Sequence, residues 1–480
     1  MSDIVLAIDV GTSSSRTALF SLRGERIPNT FAQRSYTLDA TVPGQAELRP
    51  SALRKAISEC LEETLIALRN EGANDHIVAC GVSTFWHSLI GLDSRDTPTT
   101  EFLTWADSRC EADAADLRKR LNENKIHSRT GCMLRASFWP AKLKWIAREQ
   151  PTTFDHVRLW LSPGEWLQRW FCGPAHASVS MVSATGLWNP TTLKWDDALL
   201  AECAISESQI SPVSDEPLPI GGEIAEKYPE LRNVPFYPAI GDGAAGNLGS
   251  GATRAGWAAI NVGTSAAVRV VQSDSSKAVP FGLFRYRIDA DRALAGGAVS
   301  NAGNLRAWCL RELKIPLTGE ALEAELAARR TPNHGLRVLP FWVAERAPTW
   351  RADSTGAIVG FQAGTTATDI LQATTEAVFY RIARIANMLG EKNLQFIVAG
   401  GIQHSSSAMQ RLANILDSPV FAAREPEASL RGAAVFALEK INAKISSDNT
   451  GKIFEPEPEA VDVYREERRL HEEFERKLYP

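Results

Sequence analysis

One short segment occurs twice in this 480-residue chain. Residues 5–19 read VLAIDVGTSSSRTAL and residues 257–271 read WAAINVGTSAAVRVV, 252 positions further on. Each holds an apolar strand, a D/N-V-G-T-S core and the start of a second strand. Two β-rich runs joined by a small polar turn make a hairpin. The same strand–turn–strand context returning after about half the chain implies a duplicated domain. The chain is therefore expected to build two like lobes, each opening on a hairpin.

The flanking segments extend the parallel. After the first hairpin come a strand around residues 30–38, a helix over 50–70 and a strand over 77–82. In that helix Leu53, Ile57, Leu61, Leu65 and Leu68 recur at helical spacing. After the second hairpin come a strand over 293–299, helices over 304–313 and 369–389, and a strand over 395–399. That strand ends at Gly400-Gly401, and a helix follows through residue 415. Strands alternating with helices, with an antiparallel hairpin at each start, predict a mixed α/β sheet in both lobes.

Bulk composition removes whole classes of function. The chain is 44% hydrophobic and 23% charged, which is ordinary globular composition, and its length predicts two or three domains. A formal net charge of -5 leaves no basic footprint for nucleic acid or an anionic membrane. The start lacks a basic leader and an apolar core, and no run of 18 apolar residues occurs, so a cytoplasmic location is expected. Seven cysteines without a CxxC pair read as reduced thiols, and eight histidines without HExxH spacing offer no transition-metal site. No GxxxxGK[ST] and no G-x-S-x-G occurs, which disfavours P-loop enzymes and α/β-hydrolases.

The residues that could carry chemistry cluster at the hairpins. Asp9, at the end of a buried strand beside Gly11-Thr12-Ser13-Ser14, is placed to organise Mg²⁺ with phosphate, and Arg16 adds positive charge. A Gly/Ser turn alone is the ordinary way to close a hairpin. The second copy, Gly263-Thr264-Ser265, changes the balance, because two facing hairpins make a phosphate clamp. Just before it, Asp242 lies between Gly241 and Gly243, where its carboxylate can open into a cleft and accept a hydroxyl proton. Gly400-Gly401 could lie against a nucleotide. Trp86-His87-Ser88 and Trp105-Ala106-Asp107-Ser108-Arg109 mix flat rings with fixed donors, as a polyol pocket requires.

These motifs resemble the FGGY family of carbohydrate kinases, in the superfamily of sugar kinases, actin and heat-shock chaperones. The opening DVGTSSSR resembles the family's first phosphate loop. Residues 137–149 (SFWPAKLKWIARE) resemble its first signature, with Lys142 and Trp145 in place and Trp139 as a departure. Residues 356–376 resemble its second signature, with Phe361 and Thr375 as departures. Gly400-Gly401-Ile402-Gln403-His404 and Ser300-Asn301-Ala302 also depart from the family pattern, both on the nucleotide side. Segments such as WHSLIGLD (86–93), TWADSR (104–109), IGDGAAGNLGSGA (240–252) and ERAPTW (345–350) are similar to the gluconokinase branch.

The resemblance implies two duplicated ribonuclease H-like (actin/hexokinase-type) α/β domains with an interdomain cleft. Residues 1–243 would hold the sugar and the first phosphate loop, residues 244–445 the second loop and adenosine, and residues 446–480 a capping tail. It further implies ATP and Mg²⁺ as cofactors, Asp242 as general base, and Asp9 with Asp242 at the metal. Thr12 and Thr264 would contact phosphate; Gly303, Gly401 and Ser405 would surround adenosine. His87, Asp107 and Asp242 would face the substrate, and Arg109, Arg346 and Arg351 are candidates to meet a carboxylate. The expected partner is a small sugar or sugar acid, best D-gluconate, and the candidate assembly is a homodimer. A xylulose or other ketose/polyol kinase is the alternative acceptor class, and a nucleotide-driven conformational switch the alternative outside catalysis.

Overall fold

The computed structural model describes residues 2–70, 75–272, 277–351, 353–446 and 449–479. The expected tail includes residues 447–448 and 480, which lie outside these.

The first lobe forms around the strand of the opening repeat. Strand β1 (Asp3–Val10) is buried from Ile4 onward, as befits a central strand covered on both faces. It pairs antiparallel with β2 (Ser14–Ser21), which sets Asp9 opposite Arg16. β2 in turn pairs with β3 (Ala32–Ser35), shorter than the run expected there. Helix α1 (Pro50–Asn70) buries the leucine and isoleucine face read from its spacing, and the chain returns as β4 (His76–Thr84), parallel to β1. Burying each such side chain is worth about 1.5–3 kcal/mol. Short strands β5 (Leu218–Pro219), β6 (Pro235–Phe236) and β7 (Ile240–Gly241) complete a seven-stranded sheet.

The second lobe repeats that plan. β8 (Trp257–Val262) pairs antiparallel with β9 (Ala266–Gln272), and β9 with β11 (Ala293–Val299), whose outer neighbour is β10 (Phe284–Arg287). The parallel partner of β8 is β12 (Gln395–Ala399), in the place that β4 takes beside β1. Between them run helices α3 (Gly303–Glu312) and α4 (Ala367–Met388). α4 opens on a reciprocal capping box, Thr366 with Asp369, and packs its apolar face under β8 and β9. Past β12 a 3₁₀ turn (Gly401–His404) precedes α5 (Ser406–Leu416), so this helix starts later than its sequence predicts. β13 (Val420–Ala423) and β14 (Thr450–Phe454) finish the sheet, and α7 (Pro458–Leu478) packs beside α5.

Two helices tie the lobes together by exchange. α2 (Asp242–Ser250) follows the first sheet but packs on β8, β9 and β12 of the second. α6 (Ala428–Lys440) belongs to the second lobe but covers β1 and β4 of the first. They cross at glycine: a Cβ on Gly249 would lie 1.7 Å from the Ala428 carbonyl oxygen, and one on Gly432 would lie 1.8 Å from that of Ala245. Gly81 of β4 meets the Ala433 carbonyl in the same way, at 2.0 Å. Two α/β domains of common plan are thus joined through the crossing of α2 and α6.

Candidate active site

The end of β1 presents Asp9, 2% exposed. Its Oδ2 accepts from Arg16 at 2.9 Å and from Ser429 Oγ of α6 at 2.8 Å. Arg16 also lies 3.1 Å from Glu427, so its charge is matched by two carboxylates. The hairpin closes through a Gly11 N–H to Ser14 carbonyl bond of 2.9 Å. Ser14 is buried in the sheet, whereas Ser13 is exposed and Thr12 half-buried.

The second hairpin is anchored to a helix. Gly263 N–H donates to the Ser265 carbonyl at 2.9 Å, while the Gly263 and Thr264 carbonyls accept from Gly303 and Asn304 at 3.0 and 3.1 Å. A Cβ on Gly303 would come within 2.4 Å of the Gly263 oxygen, which only glycine avoids. Behind this weld lies a cavity of about 550 Å³ that Gly263, Thr264, Gly303, Gly401 and Ser405 help to line. Gly400 adopts φ +93°, and a Cβ there would lie 2.4 Å from the Val262 carbonyl. Ser405 caps α5 and donates to Glu323 at 2.8 Å, so its hydroxyl is engaged at the wall. Sequence reasoning missed Arg306, Arg311 and Phe379, which also line this cavity, while Ile402, read on the nucleotide side, lines it as well. Thr375, noted as a departure from the second signature, lines it too, one helical turn before Phe379.

The acceptor side is built around Asp242, the first residue of α2. Asp242 is exposed to water at the bottom of a recess and ringed by protein. Burial pushes its carboxyl pKa above the ordinary range; Arg269 opposes this, and Asp9 adds to it. The flanking glycines let Trp86 slide beneath: a Cβ on Gly241 would sit 1.8 Å from that indole, and one on Gly243 would sit 2.5 Å from it. Trp86 is itself 4% exposed, donates to the Ser180 carbonyl at 3.2 Å, and supports the turn from below. His87, at φ +64°, donates from Nδ1 to the Ala184 carbonyl at 2.6 Å, which leaves Nε2 to the pocket. Burial brings its pKa down to about 3, so the imidazole stays neutral. Tyr286 lies 5.0 Å from the Trp86 ring and 5.4 Å from that of His87. Lys142 Nζ donates to the His87 carbonyl at 3.2 Å.

Asp107 and Arg109 are placed differently from their expected position facing a substrate. Asp107 is 1% exposed, accepts from the Ala46 N–H at 3.0 Å, and is gripped by Arg109 at 2.7 Å. Arg109 also pairs with Glu47 and stacks over Trp145 at 4.4 Å. Both charges are satisfied within the scaffold. Arg351 points to the chain end, donating to the Tyr479 carbonyl at 2.8 Å. Of the three arginines considered for a carboxylate, only Arg346 sits over the site, 5.1 Å above the Trp105 ring. Sequence reasoning missed Arg269 of β9, whose Nε would lie 2.6 Å from a Cβ on Gly243. Burial and the charge of Arg269 lower the Arg346 pKa to about 10.

A phosphate-type hairpin from each lobe, a nucleotide-sized cavity and an open carboxylate between them define a two-lobed phosphotransferase acting on an alcohol. Residues 4–249 match the FGGY family of carbohydrate kinases, N-terminal domain, and residues 258–439 match its C-terminal domain. The chain belongs to the FGGY family of carbohydrate kinases. It is 26% identical to a gluconokinase of Bacillus licheniformis over 97% of this chain and 94% of that one. The structure of gluconate kinase from Lactobacillus acidophilus shares its fold, with TM-score 0.90, 24% identity and coverage of 100% and 98%. So does Plasmodium falciparum glycerol kinase with ADP, with TM-score 0.89, 19% identity and coverage of 100% and 99%. A glycerol kinase of Thermus brockianus and a xylulose kinase of Lactobacillus acidophilus match as well. All seven cysteines are free, and among the described residues no helix is long and apolar enough to cross a membrane.

Proposed function

We propose that this chain moves the γ-phosphoryl group of ATP onto a primary hydroxyl of a sugar acid, D-gluconate to 6-phosphogluconate being the reading the site supports best. The observation that carries it is Asp242: a water-accessible carboxylate of raised pKa, held open by two glycines between the two hairpins. In the reaction the hydroxyl oxygen bonds to the γ-phosphorus, the bond to the β–γ bridging oxygen breaks, and Asp242 takes the hydroxyl proton. His87 Nε2 and the Trp105 ring orient the acceptor, while Thr12, Ser13, Thr264 and Ser265 donate to the phosphates. The first lobe thus supplies His87 and Trp105 to the acceptor, and the second holds adenosine in the cavity behind Gly263.

Magnesium fits the donors present. Among the described residues no hydrogen bond reaches Asp9 Oδ1, and Asp242 offers a second hard oxygen donor. No group of three or more His, Cys, Asp or Glu is gathered among the described residues, which suits an ion that completes its shell with phosphate and water. Bound there between Asp9 and Asp242, it would neutralise phosphate charge.

Coupled ADP production against gluconate, xylulose, glycerol and ribulose tests the reading. Turnover on gluconate is expected. Turnover on a ketose or glycerol alone would replace the acid acceptor, and ADP release independent of any acceptor would favour a nucleotide switch.

A further inference from the structure

We infer that Arg269 and Arg346 together form the seat for the acceptor's carboxylate, making this an aldonic-acid site rather than a neutral polyol site. The inference rests on the phosphotransfer reading above and deepens it.

Other arginines drawn into the protein spend charged ends on carboxylates or carbonyls, although the Nε atoms of Arg16 and Arg381 also lack a hydrogen-bond partner. Arg16 lies between Asp9 and Glu427, Arg109 between Glu47 and Asp107, and the fully buried Arg381 between Glu345 and Glu475. Arg287 and Arg431 spend theirs on backbone carbonyls at 2.6–2.9 Å. Arg269 and Arg346 break that pattern. Among the described residues no carboxylate lies within ion-pair distance of either. Arg269 Nε is buried with no hydrogen-bond partner at all. Arg346 makes only two long bonds, from Nε to Ser300 Oγ at 3.3 Å and from Nη2 to the Val299 carbonyl at 3.4 Å. Its guanidinium carbon lies 5.1 Å from the centre of the Trp105 ring.

Arg269 reaches the backbone beside Asp242 and Arg346 lies over Trp105, and guanidinium charges left unmatched inside a protein are destabilising unless an anion joins them. Asp242 relieves the pair only at a distance, its oxygens being given to the reacting hydroxyl and the metal in the phosphotransfer reading. A planar carboxylate matches what the two guanidinium groups leave unsatisfied. The reacting hydroxyl then lies at the Asp242 end of the same acceptor, and the intervening carbinols pass over Trp105 and His87. Arg109, whose fork is already filled by two carboxylates, is excluded from this task.

The test compares acceptors within each variant. Wild type, Arg346→Gln, Arg346→Lys and Arg269→Gln are assayed with gluconate and with the neutral polyols xylitol and glycerol. Gluconate binding without ATP is followed in parallel by its shift of the unfolding temperature. Glutamine in place of either charged donor is expected to lower kcat/KM for gluconate roughly 10- to 100-fold. It should abolish the gluconate-induced thermal shift and, at a pH above the acid limb, lower the ratio of kcat/KM for gluconate to that for the neutral acceptors by about the same factor. Arg346→Lys, which keeps the charge but not the planar fork, should fall between. Equal loss on acid and neutral acceptors would overturn the inference and assign the arginines to the transferred phosphoryl group or to folding. Gluconate turnover with that equal loss leaves the acid-kinase reading standing. Failure of wild type on every acid overturns both.

Discussion

At the scale of single residues, the proposed chemistry turns on how Asp242 is kept both open and uncomfortable. Glycines on either side remove the β-carbons that would strike Trp86, so the carboxylate reaches water while protein surrounds it. Asp242→Asn is expected to lower kcat about 10²- to 10⁴-fold and leave ATP affinity unchanged, as steady-state rates and calorimetry would show. Because its pKa is raised, the base is lost as pH falls, and the acid limb of kcat/KM should lie above the ordinary carboxylate range. Arg269 opposes that rise, so Arg269→Gln should move the acid limb to higher pH; an unmoved limb would remove Arg269 from the neighbourhood of the base. Asp242 stood out in the sequence because an aspartate between glycines just before the second hairpin is a local pattern. Arg269 carried no such mark, since its meaning comes from a recess assembled by both lobes.

At the scale of elements, the crossing of α2 and α6 is the joint on which both lobes depend. Backbones meet there because Gly249 and Gly432 offer hydrogen where any other residue offers a methyl. Gly249→Ala or Gly432→Ala should destabilise the protein by about 1–3 kcal/mol through overpacking, seen as a lower denaturant midpoint. A midpoint within error of wild type would mean that the crossing relaxes freely. The repeated hairpins and α1 were legible because their residues interact within a few positions and their apolar spacing declares the buried face. The exchange of α2 and α6 between lobes was not, as the small residues that allow it look like ordinary helix interior. The late start of α5 after Gly400-Gly401 was likewise hidden, because the turn is shaped by its packing against β8.

At the scale of the molecule, α7 reaches back to the site. Glu475 near the chain end and Glu345 both grip Arg381, and Glu345 is the neighbour of Arg346. Glu475→Gln should lower stability by about 1–3 kcal/mol and raise KM for an acid acceptor more than KM for ATP, measured by unfolding and by kinetics. With the proposed acceptor groups drawn from both lobes and the nucleotide cavity in the second, joint binding should draw the lobes together. The radius of gyration in solution scattering is expected to fall further with gluconate plus a non-hydrolysable ATP analogue than with either alone.

The chain alone determined the duplicated α/β plan, the two phosphate-type hairpins and the aspartate between them. Each of these follows from neighbours close in sequence, through strand alternation, helical spacing and the turn chemistry of glycine and serine. Only the tertiary structure decided which charges are free. Arg109 and Glu47 stand 62 positions apart, yet they pair with Asp107 into scaffold. Arg346 settles on Trp105 from the other half of the chain. Whether a guanidinium is matched or waiting depends on which carboxylates folding brings within reach, and long-range packing sets that.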